Sequence, residues 1–237
     1  MLLLVVSVSE GRISTGETVP FSYTISVPPV RLEPGTWVVM GSSTAAGTGA
    51  PRGKGWVELL GLAYASHGAE VANIAKRGAV TYRGLSTNSM RVTRRPTPDR
   101  GANIDAALAR RPVLLILSYP SNDTAFGYST DETVSNLLTI RAQAQAAGVA
   151  VVVISTQPRD LNDDRLTQLR AIDDRLSASI GACFVAVRQA LEAADGRLAP
   201  KYDAGDGVHL TKAGHALIAG RLTELIDSAK CIRVTRN

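Results

Sequence analysis

Trp37-Val38-Val39-Met40-Gly41-Ser42-Ser43 decides the fold: four apolar residues in a row run into a glycine-rich turn over residues 41–49. A strand wetted on one face alternates apolar with polar residues. A short run that is apolar throughout suits a strand covered on both faces, as in a parallel sheet. The pattern returns at Val113-Leu114-Leu115-Ile116-Leu117, the clearest central strand, and over residues 149–154. Shorter strands are expected at 70–75 and 182–187.

Helical patterns fill the gaps. Residues 55–67 carry Trp56, Leu59, Leu60 and Ala63 at helical spacing, and residues 101–110 read as a further helix. Ser129 and Glu132 form a capping-box pair that opens a helix running to Ala147 and stopping at Gly148. Leu166, Leu169, Ile172, Leu176 and Ile180 make one face of a helix over 161–180, and a last helix over 211–226 is expected to turn Ala213, Leu217, Leu222 and Leu225 inward. Strand and helix alternating in this way give βαβ units, hence a parallel sheet with helices on both faces. The first 35 residues differ: they read as β and loop, with alternation over 21–27 ended by Pro28-Pro29 and a turn at Pro34-Gly35.

Composition narrows the class. A chain of 237 residues with 45% apolar and 20% charged residues has the balance of an ordinary globular domain. No apolar run approaches the roughly 18–20 residues needed to span a bilayer. The opening Met1-Leu2-Leu3-Leu4-Val5-Val6 has no basic stretch before it and ends at Ser7, so no signal peptide is evident and secreted, periplasmic and cytoplasmic locations stay open. Cys183 and Cys231 are too few for a disulfide scaffold or a zinc cluster, and their pairing is left open. The formal charge is +5, but basic runs are short (91–95 and 110–111) and aromatics are 5% of the chain, which argues against nucleic-acid binding.

In parallel α/β sheets, ligands bind beyond the carboxyl ends of the strands. That rule selects residues 41–49, 75–78, 118–123 and the loop before the last helix. Of three histidines, His67 sits at a helix end before Gly68, and His215 lies within the last helix, off the expected apolar stripe; both read as structural. His209 lies in Asp206-Gly207-Val208-His209, where the carboxylate can turn back onto the ring and fix its tautomer. The turn at 41–49 fits either a phosphate cradle or a serine at a strand end with its own N–H free for an oxyanion. Ser121-Asn122-Asp123 offers an amide that can donate to an oxyanion, or an ordinary turn.

Taken in order, Gly41-Ser42-Ser43, Asn73 to Gly78, Ser121-Asn122-Asp123 and Asp206-Gly207-Val208-His209 resemble the four blocks of the SGNH, or GDSL-type, hydrolase superfamily over residues 36–228. The resemblance implies a three-layer α/β/α, flavodoxin-like sandwich with a central parallel sheet over 36–237. Residues 1–35 then form a β extension, either integral to that domain or the remnant of a preceding one. It also implies a nucleophile at Ser43, a base at His209 oriented by Asp206, and an oxyanion hole from the N–H groups of Ser43 and Gly78 and the amide of Asn122, with no metal or cofactor.

The sequence departs from the family pattern in three places. Ser42 replaces the aspartate of Gly-Asp-Ser and leaves either serine open as the nucleophile, with the position of Gly47 favouring Ser43. Pro120 replaces a glycine, and Ala75 stands where glycine is frequent. The implied activity is hydrolysis of a small-molecule or carbohydrate ester, with short-chain or O-acetyl groups favoured because the surrounding loops are polar. Acyl transfer, lysophospholipid or thioester cleavage, and a non-catalytic phosphate-binding module are the alternatives. Tyr82, Arg83, Tyr119, Phe126 and Tyr128 are candidates for lining the pocket.

Overall fold

The computed structural model describes residues 29–234, so the alternation at 21–27 and the apolar start lie outside the described residues. In chain order the elements are β1 (Val30–Leu32), β2 (Gly35–Gly41), α1 (Trp56–Tyr64), β3 (Ala69–Asn73), α2 (Thr81–Gly84), α3 (Ile104–Leu108), β4 (Leu114–Ser118), α4 (Asn122–Ala125), α5 (Thr130–Ala146), β5 (Ala150–Ile154), α6 (Asp163–Ile180), β6 (Phe184–Val185), α7 (Arg188–Leu191), α8 (Lys212–Asp227) and β7 (Ile232–Val234). The main sheet is parallel throughout, in the order β3-β2-β4-β5-β6. It is the central layer of a three-layer α/β/α sandwich.

Side-chain alternation along the strands divides the core in two. Trp37, Val39, Leu114, Ile116, Val152 and Ile154 face a layer built on α1 and α8, with Trp56, Leu60, Ile218, Leu222 and Ile226. Val38, Met40, Leu115, Leu117, Val151 and Val153 face the other side, with Leu137 and Ile140 of α5 and Ile172 and Leu176 of α6. Every residue of β4 and β5 is buried, which is why these strands read as continuous apolar runs.

The capping box at Ser129 and Glu132 forms as expected, with both reciprocal hydrogen bonds present. Other boundaries differ. The helix expected over 101–110 is only Ile104–Leu108, because Asn103 caps it by accepting from the Ala106 N–H at 3.0 Å. The strand expected over 182–187 shrinks to two residues, since β6 is an edge with one neighbour and residues 181–183 form a 3₁₀ turn. The buried face of α8 is Gly214, His215, Ile218, Ala219, Leu222 and Ile226, rotated from the stripe expected from the sequence; Ala213 is exposed. The rotation brings the wholly buried His215 inward, where its Nδ1 accepts from the Trp56 N–H at 3.3 Å and its Nε2 lies 3.0 Å from the Thr48 carbonyl. Burial pulls its pKa down, so the neutral ring pins α8 to α1 and to the 41–49 turn.

β1 pairs in parallel with β7, forming a two-stranded sheet from the two ends of the described chain. Cys183 and Cys231 are disulfide-bonded. The bond joins the 3₁₀ turn before β6 to the residue before β7, linking the small sheet to the large one.

Candidate active site

The carboxyl ends of β2, β3 and β4 lie side by side, and the expected blocks follow each of them. β2 ends in a tight series of turns over 42–49, and α1 begins only at Trp56, so this loop does not lead directly onto a helix N-terminus. Ser42 is 1% exposed and its N–H is bonded to the Ser118 carbonyl at 3.0 Å. Ser43 is half-buried, and its Oγ lies 3.1 Å from His209 Nε2. The structure therefore presents Ser43, and not Ser42, to the imidazole.

His209 Nδ1 lies 2.6 Å from Asp206 Oδ2. The other carboxylate oxygen accepts from the His209 backbone N–H at 2.8 Å and the Val208 N–H at 3.0 Å. These bonds, the His209 backbone N–H first and its ring next, hold the Asp206 pKa down at about 2. An ionised Asp206 keeps the proton on Nδ1 and leaves Nε2 as the acceptor facing Ser43.

The loop that carries this pair is organised by Asp203, whose Oδ1 accepts from the N–H groups of Gly205 (2.9 Å), Asp206 (3.2 Å) and Gly207 (2.9 Å). In the sequence Asp203 is marked only by its place two residues before Gly205, an aspartate at the start of a turn. Gly49, the last residue of the glycine-rich turn, has a part that its place in the sequence does not reveal. With φ at +93°, a Cβ there would stand 2.3 Å from the Leu210 carbonyl oxygen and 3.2 Å from His209 Cβ. Only glycine lets the serine loop close against the histidine loop.

The remaining blocks come together at the neighbouring strand ends. Gly78 sits at φ +70° in the turn closed by the Ala79 N–H on the Lys76 carbonyl at 3.1 Å, a conformation that glycine adopts without strain. Asn122 Nδ2 donates to the Ala79 carbonyl at 2.9 Å, while Arg159 Nη1 donates to Asn122 Oδ1 at 3.3 Å. The second N–H of that amide remains for another acceptor. Among the described residues, neither the Ser43 nor the Gly78 backbone N–H donates to another backbone group. Asn73, which opens the second block, donates to the Ala45 carbonyl at 2.7 Å and accepts from the Ala75 N–H at 3.1 Å, bracing the serine loop from β3.

The residues expected to line a pocket separate. Tyr119 is buried in the second core layer, where burial pushes its pKa up. Tyr82 is also buried; its hydroxyl donates to Glu132 at 2.9 Å and its ring meets Tyr128 edge-on at 5.7 Å. The Arg95 guanidinium lies 4.1 Å above the Tyr128 ring and bonds Glu132 through two nitrogens, which fastens the loop after α2. Arg83 and Phe126 are exposed. Among the described residues, no group of three or more His, Cys, Asp or Glu side chains is arranged to hold a metal ion, and no helix is long and apolar enough to cross a membrane.

Residues 39–217 match the model of the GDSL-like lipase/acylhydrolase family. The chain belongs to this family. A GDSL-like lipase from Bacteroides thetaiotaomicron is 20% identical, covering 82% of this chain and 88% of that one, with a TM-score of 0.61. A psychrotrophic esterase from Pseudoalteromonas, whose structure was determined inhibited by monoethylphosphonate, is 17% identical over 82% of this chain and 97% of its own, with a TM-score of 0.56. A two-domain esterase active on acetylated mannans is 15% identical, with a TM-score of 0.56; the match covers 87% of this chain and 51% of that one. At these identities the likeness is one of fold. No curated protein sequence matches the chain. Within this GDSL-like chain, Ser42 occupies the place of the family's aspartate and is packed away beside β4.

Proposed function

We propose that this chain is a serine hydrolase that cleaves carboxylic esters through an acyl-enzyme, acting on short acyl groups and in particular on O-acetyl groups of carbohydrates. The observation that carries this reading is the series Ser43 Oγ, His209 Nε2, His209 Nδ1, Asp206 Oδ2, linked at 3.1 and 2.6 Å. In the first step His209 takes the Ser43 proton as Oγ attacks the ester carbonyl, and the N–H groups of Ser43 and Gly78 and the amide of Asn122 receive the oxyanion. The tetrahedral intermediate collapses, the C–O bond to the alcohol breaks, and His209 returns the proton to the departing oxygen. Water, deprotonated by His209, then attacks the acyl-serine and releases the acid and free Ser43.

Preference for a hydroxyl-rich alcohol is supported by the surroundings of Asp206. A depression of about 700 Å³ opens there, where the charged side chains of Asp160, Asp195, Arg197, Asp203 and Asp206 stand beside Ala193, Ala194, Leu198 and Pro200. The acetylated mannans cleaved by the two-domain esterase of the same fold belong to this substrate class.

The test is a hydrolysis panel of p-nitrophenyl esters of increasing chain length, run beside acetylated xylan, acetylated mannan and an acyl-CoA. Acetyl esters are expected to give the highest kcat/KM, and Ser43→Ala to abolish all of it. Retained hydrolysis in Ser43→Ala would overturn the nucleophile; preference for long chains or for the thioester would overturn the substrate class.

A further inference from the structure

The loop after β5 carries none of the groups assigned to catalysis, yet its buried side chains reach the segments that do. Ser155, Thr156 and Gln157 are 2, 4 and 2% exposed. Buried polar groups are tolerated when they are bonded, and these are. Ser155 Oγ accepts from the Val187 and Arg188 N–H groups at 2.9 and 3.1 Å. Asp173 of α6 accepts from the Thr156 N–H at 2.7 Å and its hydroxyl at 2.9 Å, and is itself paired with Arg188 at 2.8 Å. The backbone beneath Gln157 is thereby fixed.

From that base Gln157 makes three connections. Its N–H donates to the Pro120 carbonyl at 3.1 Å, just before Ser121 and Asn122. Its side-chain Oε1 accepts from the Thr44 hydroxyl at 2.9 Å, and its Nε2 donates to the Val208 carbonyl at 2.5 Å. Thr44 follows Ser43, and Val208 precedes His209.

We propose that Gln157 is a positioning residue that sets the approach of Ser43 to His209 by holding the segment beside each. This rests on the hydrolase reading above. The Ser43–His209 bond joins positions 166 residues apart through a rotatable hydroxyl and a ring that is 25% exposed. Proton transfer needs the two held in register, and a displacement of about 1 Å can cost on the order of 10²-fold in rate. A primary amide suits the task because one rigid plane both accepts and donates. Methionine at this position can do neither; glutamate can accept from Thr44 but, ionised, cannot donate to Val208.

The experiment compares Gln157→Met, Thr44→Val and the double variant on p-nitrophenyl acetate, with melting temperatures measured alongside. Each single change is expected to lower kcat about 10- to 100-fold with KM within roughly threefold, and the double variant to be no slower than the slower single, because both remove the same bond. Gln157→Glu is expected to fall between wild type and Gln157→Met. A purely structural role predicts a lower melting temperature with kcat unchanged. A folded Gln157→Met within twofold of wild type in kcat, or single losses that multiply in the double variant, would overturn the proposal. If Gln157→Met does not fold, Thr44→Val removes the bond from the other side, and an unchanged kcat there has the same consequence. Labelling by a fluorophosphonate separates the two levels: a wild type that does not react at Ser43 overturns the hydrolase reading, whereas a reactive wild type with unchanged variants overturns only the role of Gln157.

Discussion

Thr81 donates its backbone N–H and its hydroxyl to the carboxylate of Asp123, tying the loop that bears Gly78 to the loop that bears Asn122. Asn136 of α5 donates to the same Thr81 hydroxyl oxygen at 2.9 Å, so the junction is anchored in the second core layer. The carboxylate is almost fully buried, and burial outweighs the Thr81 hydrogen bonds, raising its pKa to about 6.

The sign of the resulting pH dependence follows from linkage. A carboxyl whose folded pKa lies above its unfolded value of about 3.9 contributes stability that is complete below pH 4 and is lost as pH rises through about 6. The difference in melting temperature between wild type and Asp123→Asn is expected to change over pH 4–6 and to be flat above about pH 7. A difference that is constant across pH 4–6 would contradict the raised pKa.

Ser43→Ala and Ser42→Ala should behave oppositely. Removing the Ser43 hydroxyl is expected to lower kcat on the order of 10⁴- to 10⁶-fold with the fold intact. Ser42 is buried, with its N–H on Ser118, and its replacement by alanine should leave kcat within about tenfold of wild type. Esterase assays on the two purified variants check this directly.

Asn122→Ala removes an amide that donates to Ala79 and accepts from Arg159. With that donor lost, kcat is expected to fall about 10²- to 10³-fold while KM changes little. Equal losses for substrates with good and poor leaving groups would place the effect on the developing oxyanion. A rise in KM alone would assign Asn122 to substrate binding instead.

Asp206→Asn tests the carboxylate behind His209. With the amide oxygen kept on the His209 and Val208 N–H groups, the change sets an NH2 donor against Nδ1 and favours the other tautomer, so kcat should fall on the order of 10⁴-fold near neutral pH. Steady-state kinetics on a folded variant measure it.

Reducing the Cys183–Cys231 bond, or replacing both cysteines by serine, relaxes a loop of 48 residues in the unfolded chain. The expected loss is roughly 2–4 kcal/mol, or about 5–15 °C in melting temperature for a chain of this size. Because the bond lies before β6 and β7, away from the strand ends that bear Ser43 and Asn122, kcat at 25 °C should be unaffected. Calorimetry with and without reductant, paired with an assay, separates the two effects.

The parallel sheet and its helical layers are written in local patterns of residues. Runs such as Val113 to Leu117 can be satisfied only between two covering layers, and a pair such as Ser129 and Glu132 encodes a helix start within four residues. Strand ends are legible from strands and locate the candidate loops, but the roles of Ser43, Gly78, Asn122, Asp206 and His209 are what the resemblance of those loops to the GDSL-type blocks implies. The tertiary structure alone brought Ser43 rather than Ser42 to the imidazole, turned His215 inward, buried Tyr119, closed the disulfide, and gave Gln157, Asp203 and Gly49 their partners. Those outcomes depend on contacts between residues far apart in the chain, and local periodicity carries no information about which distant carbonyl or hydroxyl will stand within 3 Å.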